Sequence, residues 1–282
     1  MTAERFSVYG FRFSIRTDLA DARDAIFRLY RQFRDLSATD EGADAALECS
    51  NDGLQWRLGE KTAAASDLRS ALWGLESAIC EAIIRSQQRM IAIHAATLYW
   101  GSSAVLLVAP SGAGKSTLTM ALGRRGLTVA TDDVAFVDPE TLDVFPIPRC
   151  FHLDQTSVRL LKEAGVEFPE VWKRLSFMTP NDLDQNSMPR SKARLLIYLV
   201  RSRSERPHFA AVSQAEMTAR LLSETGQGPL TDSETVRVLQ RVAGSAACFT
   251  LVPGPLALTA DAVADVIARH CPNSIAAFAA AG

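Results

Sequence analysis

The stretch Ala104-Val-Leu-Leu-Val-Ala-Pro-Ser-Gly-Ala-Gly-Lys-Ser-Thr117 constrains the fold more than any other part of the chain. Its apolar start, 104–109, has the length of a buried strand and is far short of the roughly 20 residues a membrane helix needs. Pro110 ends the run. From Lys115 a helix is expected to about Arg125, closed by Gly126. Between them lies a loop with two glycines, where the absence of Cβ lets the backbone turn tightly. Strand, glycine loop and helix in that order point to an α/β fold whose loop sits at the end of a strand.

Such a loop has a chemistry. The spacing from Ala109 to Ser116 follows Gly-x-x-x-x-Gly-Lys-Ser/Thr, with alanine replacing the first glycine. Alanine fits there if its φ is negative. The amides of Ser111, Gly112, Ala113, Gly114, Lys115, Ser116 and Thr117 can surround phosphate oxygens at a helix N-terminus. Lys115 brings positive charge to the outer phosphates, and the Ser116 hydroxyl can hold Mg²⁺. ATP with Mg²⁺ is the expected ligand. Chemistry on the phosphate also needs a base and a metal-holding acid. Asp132 and Asp133 follow a strand expected at 127–130, and neighbouring residues on extended chain face opposite ways. One carboxylate can then serve the nucleophile and the other the metal. His94 lies on a strand expected at 90–99, where spacing alone reads it as a core residue.

The rest of the chain sets boundaries. Of its 282 residues, 48% are hydrophobic and 22% charged, enough to bury a core. A formal charge of −2 gives no electrostatic reason to bind nucleic acid. Nothing in the opening MTAERFSVYG reads as a signal segment, and no membrane partner is expected. Five dispersed cysteines argue against a disulfide framework and against a zinc site, and fit a reduced, cytoplasmic protein. Two domains are expected, a small α+β module at 1–89 and a catalytic domain at 90–282. In the first, residues 6–15 suit a strand or hairpin, 54–58 a strand, and 21–33 and 67–88 helices, the latter capped by Asp67. In the second, residues 100–103 suit a tight antiparallel turn. Further strands are expected at 134–137, 195–200 and 248–252, and helices at 158–164, 213–223, 232–242 and 260–268. Residues 167–194 read as an irregular, polar substrate loop.

The order His94 strand, hairpin, Ala-Pro-Ser-Gly-Ala-Gly-Lys-Ser116, Arg125-Gly126, Asp132-Asp133 resembles the catalytic domain of HPr kinase/phosphorylase and its shorter relatives. The likeness is sharp over 91–149 and does not extend to the first 88 residues. It implies a P-loop kinase core of the HPr kinase and PEP carboxykinase type that phosphorylates serine. It makes Asp132 the base, sets Asp133 and Ser116 on the metal, puts Lys115 on the β- and γ-phosphates and His94 beside the base. Arg149, after Pro146-Ile-Pro148, either brings a cation to phosphates or substrate, or pairs with a surface acid. No Glu-containing Arg-Gly-x-Gly string lies between 151 and 191. The resemblance therefore implies a one-way kinase rather than the bifunctional regulator. Members of that group tailor ribosomally made peptides, including lasso-peptide precursors at a C-terminal serine. The expected partner is thus a serine-bearing peptide or protein, with a homo-oligomer left open. A kinase of a small molecule, such as an amino acid or sugar, and a non-catalytic ATP-binding module are the alternatives.

Overall fold

The computed structural model describes residues 3–35, 42–50, 53–168, 179, 190–226 and 228–271. Residues 167–194, expected as a substrate loop, lie mostly outside them. The chain divides into two compact units. The first comprises Met1–Gln87 with Pro148–His152 and Phe168–Asp184, and the second holds Gln88–Ile147, Leu153–Glu167 and Gln185–Gly282.

Among the described residues the first unit is a five-stranded sheet with two α-helices and a short 3-10 helix at Arg31–Phe33. Strands β1 (Glu4–Val8) and β2 (Phe11–Thr17) form an antiparallel hairpin. Its two-residue turn puts Tyr9 at φ 50° and Gly10 at φ 89°. Both must be left-handed in such a turn. Phe6 and Phe13 face each other across the hairpin with ring centroids 5.4 Å apart. The Tyr30 ring, on helix α1 (Ala20–Tyr30), meets Phe13 edge-on at 5.2 Å. Helix α1 buries Ala22, Ala25, Ile26, Leu29 and Tyr30, an i, i+3, i+4, i+7, i+8 stripe. It carries the chain from β2 to β3 (Ala43–Ser50), which runs parallel to β2. β4 (Gly53–Leu58) and β5 (Lys61–Ala65) complete the sheet antiparallel. Helix α2 (Leu68–Ser86) starts at Asp67, whose carboxylate accepts from Ser70 N at 2.7 Å. At Gly74 of this helix a Cβ would collide with the Trp56 indole, so the close approach of α2 to β4 requires glycine.

The second unit is built on β6 (Ile91–Trp100) and β7 (Ser103–Val108), joined by the tight turn at Gly101, φ 58°. β7 pairs parallel with β11 (Ser191–Leu199), and β11 parallel with β13 (Ala247–Val252). These central strands are almost wholly apolar, as strands buried on both faces must be. β12 (His208–Ala211) forms one edge, antiparallel to β13. On the far side of β6 lie β8 (Thr128–Thr131) and β9 (Val134–Val137), followed by β10 (Asp143–Pro146). β10 also pairs with Ser191 and Lys192. Residues 191–194, expected as loop, are therefore strand: their polar side chains alternate with buried Ala193, and the ladder to β10 fixes them.

Helix α3 (Lys115–Gly123) follows β7, and α4 (Gln155–Glu163) begins at an Asp154 cap. Helices α5 (Gln214–Ser223) and α6 (Asp232–Gly244) cover one face, burying Met217, Leu221, Leu239 and Val242 with Leu106, Val108 and Leu196. Val105 and Leu107 alternate to the other face. Helix α7 (Leu256–His270) packs on α3, where Arg125 binds Asp261 at 2.6 Å and the Ala257 carbonyl at 3.0 Å.

Candidate active site

The loop leaves β7 and closes through a turn in which Ala113 N donates to the Pro110 carbonyl at 3.2 Å. Gly112 has φ 78° and Gly114 φ 94°, both in the left-handed region. An added Cβ at either would meet no protein atom within 4 Å, so conformation, not crowding, calls for glycine. Ala109 has no positive φ, and alanine meets the condition set for it. Gly114 caps α3, whose first turn carries no acid. Left-handed residues in such a loop turn successive amides inward, onto the positive end of a helix. The loop is therefore shaped for an anion. Ser111 and Gly112 are exposed, Ala113, Gly114 and Ser116 partly so, and Lys115 and Thr117 are buried.

The aspartate pair is positioned by the sheet. β8 and β9 pair with the same edge of β6: Thr131 lies opposite Thr97, and Val134 opposite His94. Asp132-Asp133 interrupts what is otherwise one ladder. On the other edge of β6, Ala95 pairs with Val108, the last residue before the loop. The loop and the aspartate pair thus flank the same point of β6. β6 lies between β7 and β8 and is antiparallel to both. Two reversals restore direction, and β8 still ends on the loop's side. Lys115 closes the gap: its Nζ donates to the Asp132 carbonyl at 2.5 Å. The two carboxylates differ in burial, with Asp132 at 4% exposure and the Asp133 side chain at 29%.

His94 touches Asp133, not Asp132. Its Nε2 is 3.0 Å from Asp133 Oδ1, and its Nδ1 is 3.2 Å from Glu224 Oε2. Its amide donates to the Glu224 carbonyl at 2.8 Å. Glu224 caps the end of α5, and its side chain is only 11% exposed. Sequence reasoning missed it, because a glutamate after an amphipathic helix carries no local mark and His94 is 130 residues away. Arg201 was missed too. Its Nη2 donates to the Ser111 carbonyl at 2.6 Å. A signal existed: Arg201 opens a charged run directly after an apolar strand, and the carboxyl ends of parallel strands are where α/β sites form. Thr117 Oγ1 donates to Ser157 Oγ at 3.0 Å, tying α3 to α4.

Arg149 belongs to the first unit. Its Nε and Nη2 fork the Glu76 carboxylate at 2.9 and 3.1 Å. The acid it meets is buried, not on the surface, and Glu76 is 3% exposed.

No family model matches the chain, and no curated protein matches it. Among solved structures it is similar to an Hpr(Ser) kinase/phosphatase from Coxiella burnetii. The two are 17% identical over 53% of this chain and 93% of that one, with a TM-score of 0.24. A likeness so slight decides neither fold nor activity. Among the described residues no helix is long and apolar enough to cross a membrane.

Proposed function

We propose that the protein is an ATP-dependent kinase that transfers the γ-phosphoryl group to a serine hydroxyl of a peptide or protein. One observation carries the reading: the Lys115 bond to the Asp132 carbonyl makes the anion-shaped loop and the carboxylate pair a single site. Amides of residues 111–117 other than Ala113, whose N–H donates to the Pro110 carbonyl, hold the phosphates together with the Lys115 ammonium. The Ser116 hydroxyl and Asp133 hold Mg²⁺, and a bound magnesium ion supplies charge to offset that building on the phosphate oxygens. Asp132 accepts the hydroxyl proton as the serine Oγ–phosphorus bond forms and the bond to the ADP oxygen breaks. The products are ADP and phosphoserine.

Exposure favours a second assignment of the two acids. Asp133 is the more accessible, and His94 grips it, so Asp133 can be the base and Asp132 the metal-holding acid. Asn variants separate the readings. The base variant loses transfer by roughly 10²-fold or more while still binding ATP, and the metal variant loses magnesium dependence.

The experiment is mass spectrometry of serine-containing peptides after incubation with protein, ATP and Mg²⁺. Phosphoserine that appears with the wild-type chain and not with Lys115→Ala supports the kinase. Phosphate transferred only to small molecules, or ATP bound without turnover, overturns it in favour of the two rival readings.

A further inference from the structure

The first unit contains a polar cluster that the reaction above does not use. Glu76, on α2, is buried, and so is Cys150. His152 lies two residues beyond Cys150, with Nε2 3.2 Å from Cys150 Sγ and 3.6 Å from Glu76 Oε2. One potential ligand atom from each of the three lies within 4.8 Å of the others. The His152 ring is fixed by stacking on Trp73, with centroids 4.3 Å apart and planes 9° from parallel. Trp73 is flanked in turn by the Arg69 guanidinium, 4.2 Å from the ring centroid.

From this cluster we propose that Glu76, Cys150 and His152 form a binding site for a divalent zinc-type ion. One sulfur, one imidazole nitrogen and one carboxylate oxygen are the mixed donor set that zinc takes in tetrahedral sites. The 3.2 and 3.6 Å separations from His152 suit donors sharing one ion about 2.0–2.3 Å from each. Arg149 does not fill the carboxylate. A carboxylate offers about four lone-pair directions, and the guanidinium fork uses two. Arg149 then orients Glu76 and offsets its charge, the part that outer partners commonly play toward ligating groups. Ser77 Oγ, 3.3 Å from Arg149 Nη2, helps to hold that fork. The Tyr30 hydroxyl is buried close by with no hydrogen-bond partner among the described residues, and burial with the charge of Glu76 holds it protonated well above the usual range.

Three protein donors leave one tetrahedral position, which water takes. On binding, the Cys150 thiol gives its proton to solvent and the thiolate sulfur bonds the metal, so one proton is released per ion. The ion would clip the 150–152 segment onto α2. The site is independent of the phosphate loop and stands whether or not the kinase reading does.

The test is cobalt titration of the full-length protein, freed of metal, with zinc as competitor. The expected result is one equivalent bound, with the near-ultraviolet absorption of a cobalt–thiolate bond, displaced by zinc. Cys150→Ser and His152→Ala each remove that absorption and weaken binding at least tenfold, with circular dichroism unchanged. Cys80→Ser and Lys115→Ala leave it intact. Absence of the thiolate band in the wild-type protein, or its survival in Cys150→Ser, overturns the proposal. Should a variant misfold, proton release by the wild-type protein decides: zinc added with no proton released also overturns it.

Discussion

His94 is held at both ring nitrogens by carboxylates, Asp133 at Nε2 and Glu224 at Nδ1. Glu224 therefore controls how the ring presents itself to Asp133. Glu224→Gln is expected to lower kcat by up to about 100-fold, the scale of a misplaced catalytic group, with KM for ATP little changed. Steady-state kinetics of the purified variant check this; an equal loss in ATP affinity would contradict it. At this scale the sequence displayed residues that are close along the chain. Gly112, Gly114, Lys115 and Ser116 carry their meaning in their spacing, and Asp132-Asp133 in following a strand. Glu224 and Arg201 reach the site through helix and strand ends set by tertiary pairing, which spacing does not reveal. Cys150 and His152 are the same case. Their third companion, Glu76, lies more than 70 residues earlier, so counting cysteines argued against a zinc site.

The elements around the loop are strained only where glycine permits it. Gly114→Ala forces a left-handed alanine at the cap of α3, at a cost of roughly 1–3 kcal/mol. Phosphate binding should weaken with it, as ATP titration would show. Gly74→Ala drives a methyl group into the Trp56 indole and should destabilise the protein by about 1–3 kcal/mol, the usual cost of overpacking. Urea unfolding measures it, and an unchanged midpoint would contradict the packing of α2 on β4. Strands with strong apolar runs, such as β7 and the body of β11, were legible. β3, read Ala-Asp-Ala-Ala-Leu-Glu-Cys-Ser, and β5, read Lys-Thr-Ala-Ala-Ala, were not. Their residues have weak strand preference, and hydrogen bonding to neighbours makes them strands.

At the scale of the molecule, titration bounds stability on both sides. Hydrogen bonds from backbone amides hold Asp67, Asp138 and Asp154 below the ordinary carboxylate range, and the Thr231 hydroxyl does the same for Glu234. Groups depressed in the folded state stabilise above their unfolded pKa, and that contribution is lost as pH falls through the folded one. Burial pushes the Cys248 and Cys271 thiols up to about 11. Raised groups act oppositely: their contribution is full below the unfolded pKa and disappears as pH climbs through the folded one. Unfolding midpoints should therefore be level near neutrality, fall below about pH 4 and fall again between about pH 9 and 11. A midpoint still rising at pH 10 would contradict the burial of the thiols. The return of Pro148–His152 to the first unit was not legible, because the Arg149–Glu76 pair that anchors it spans 73 residues. The glycine loop between β7 and α3, by contrast, is local in sequence, and the proposed function rests on it. Calorimetric titration of the full-length protein with ATP and Mg²⁺ tests it directly. The account predicts one bound nucleotide per chain and at least about a tenfold loss of affinity in Lys115→Ala, the scale of a lost charge-assisted contact. Equal affinity in the two proteins, or no binding in the wild type, would contradict it.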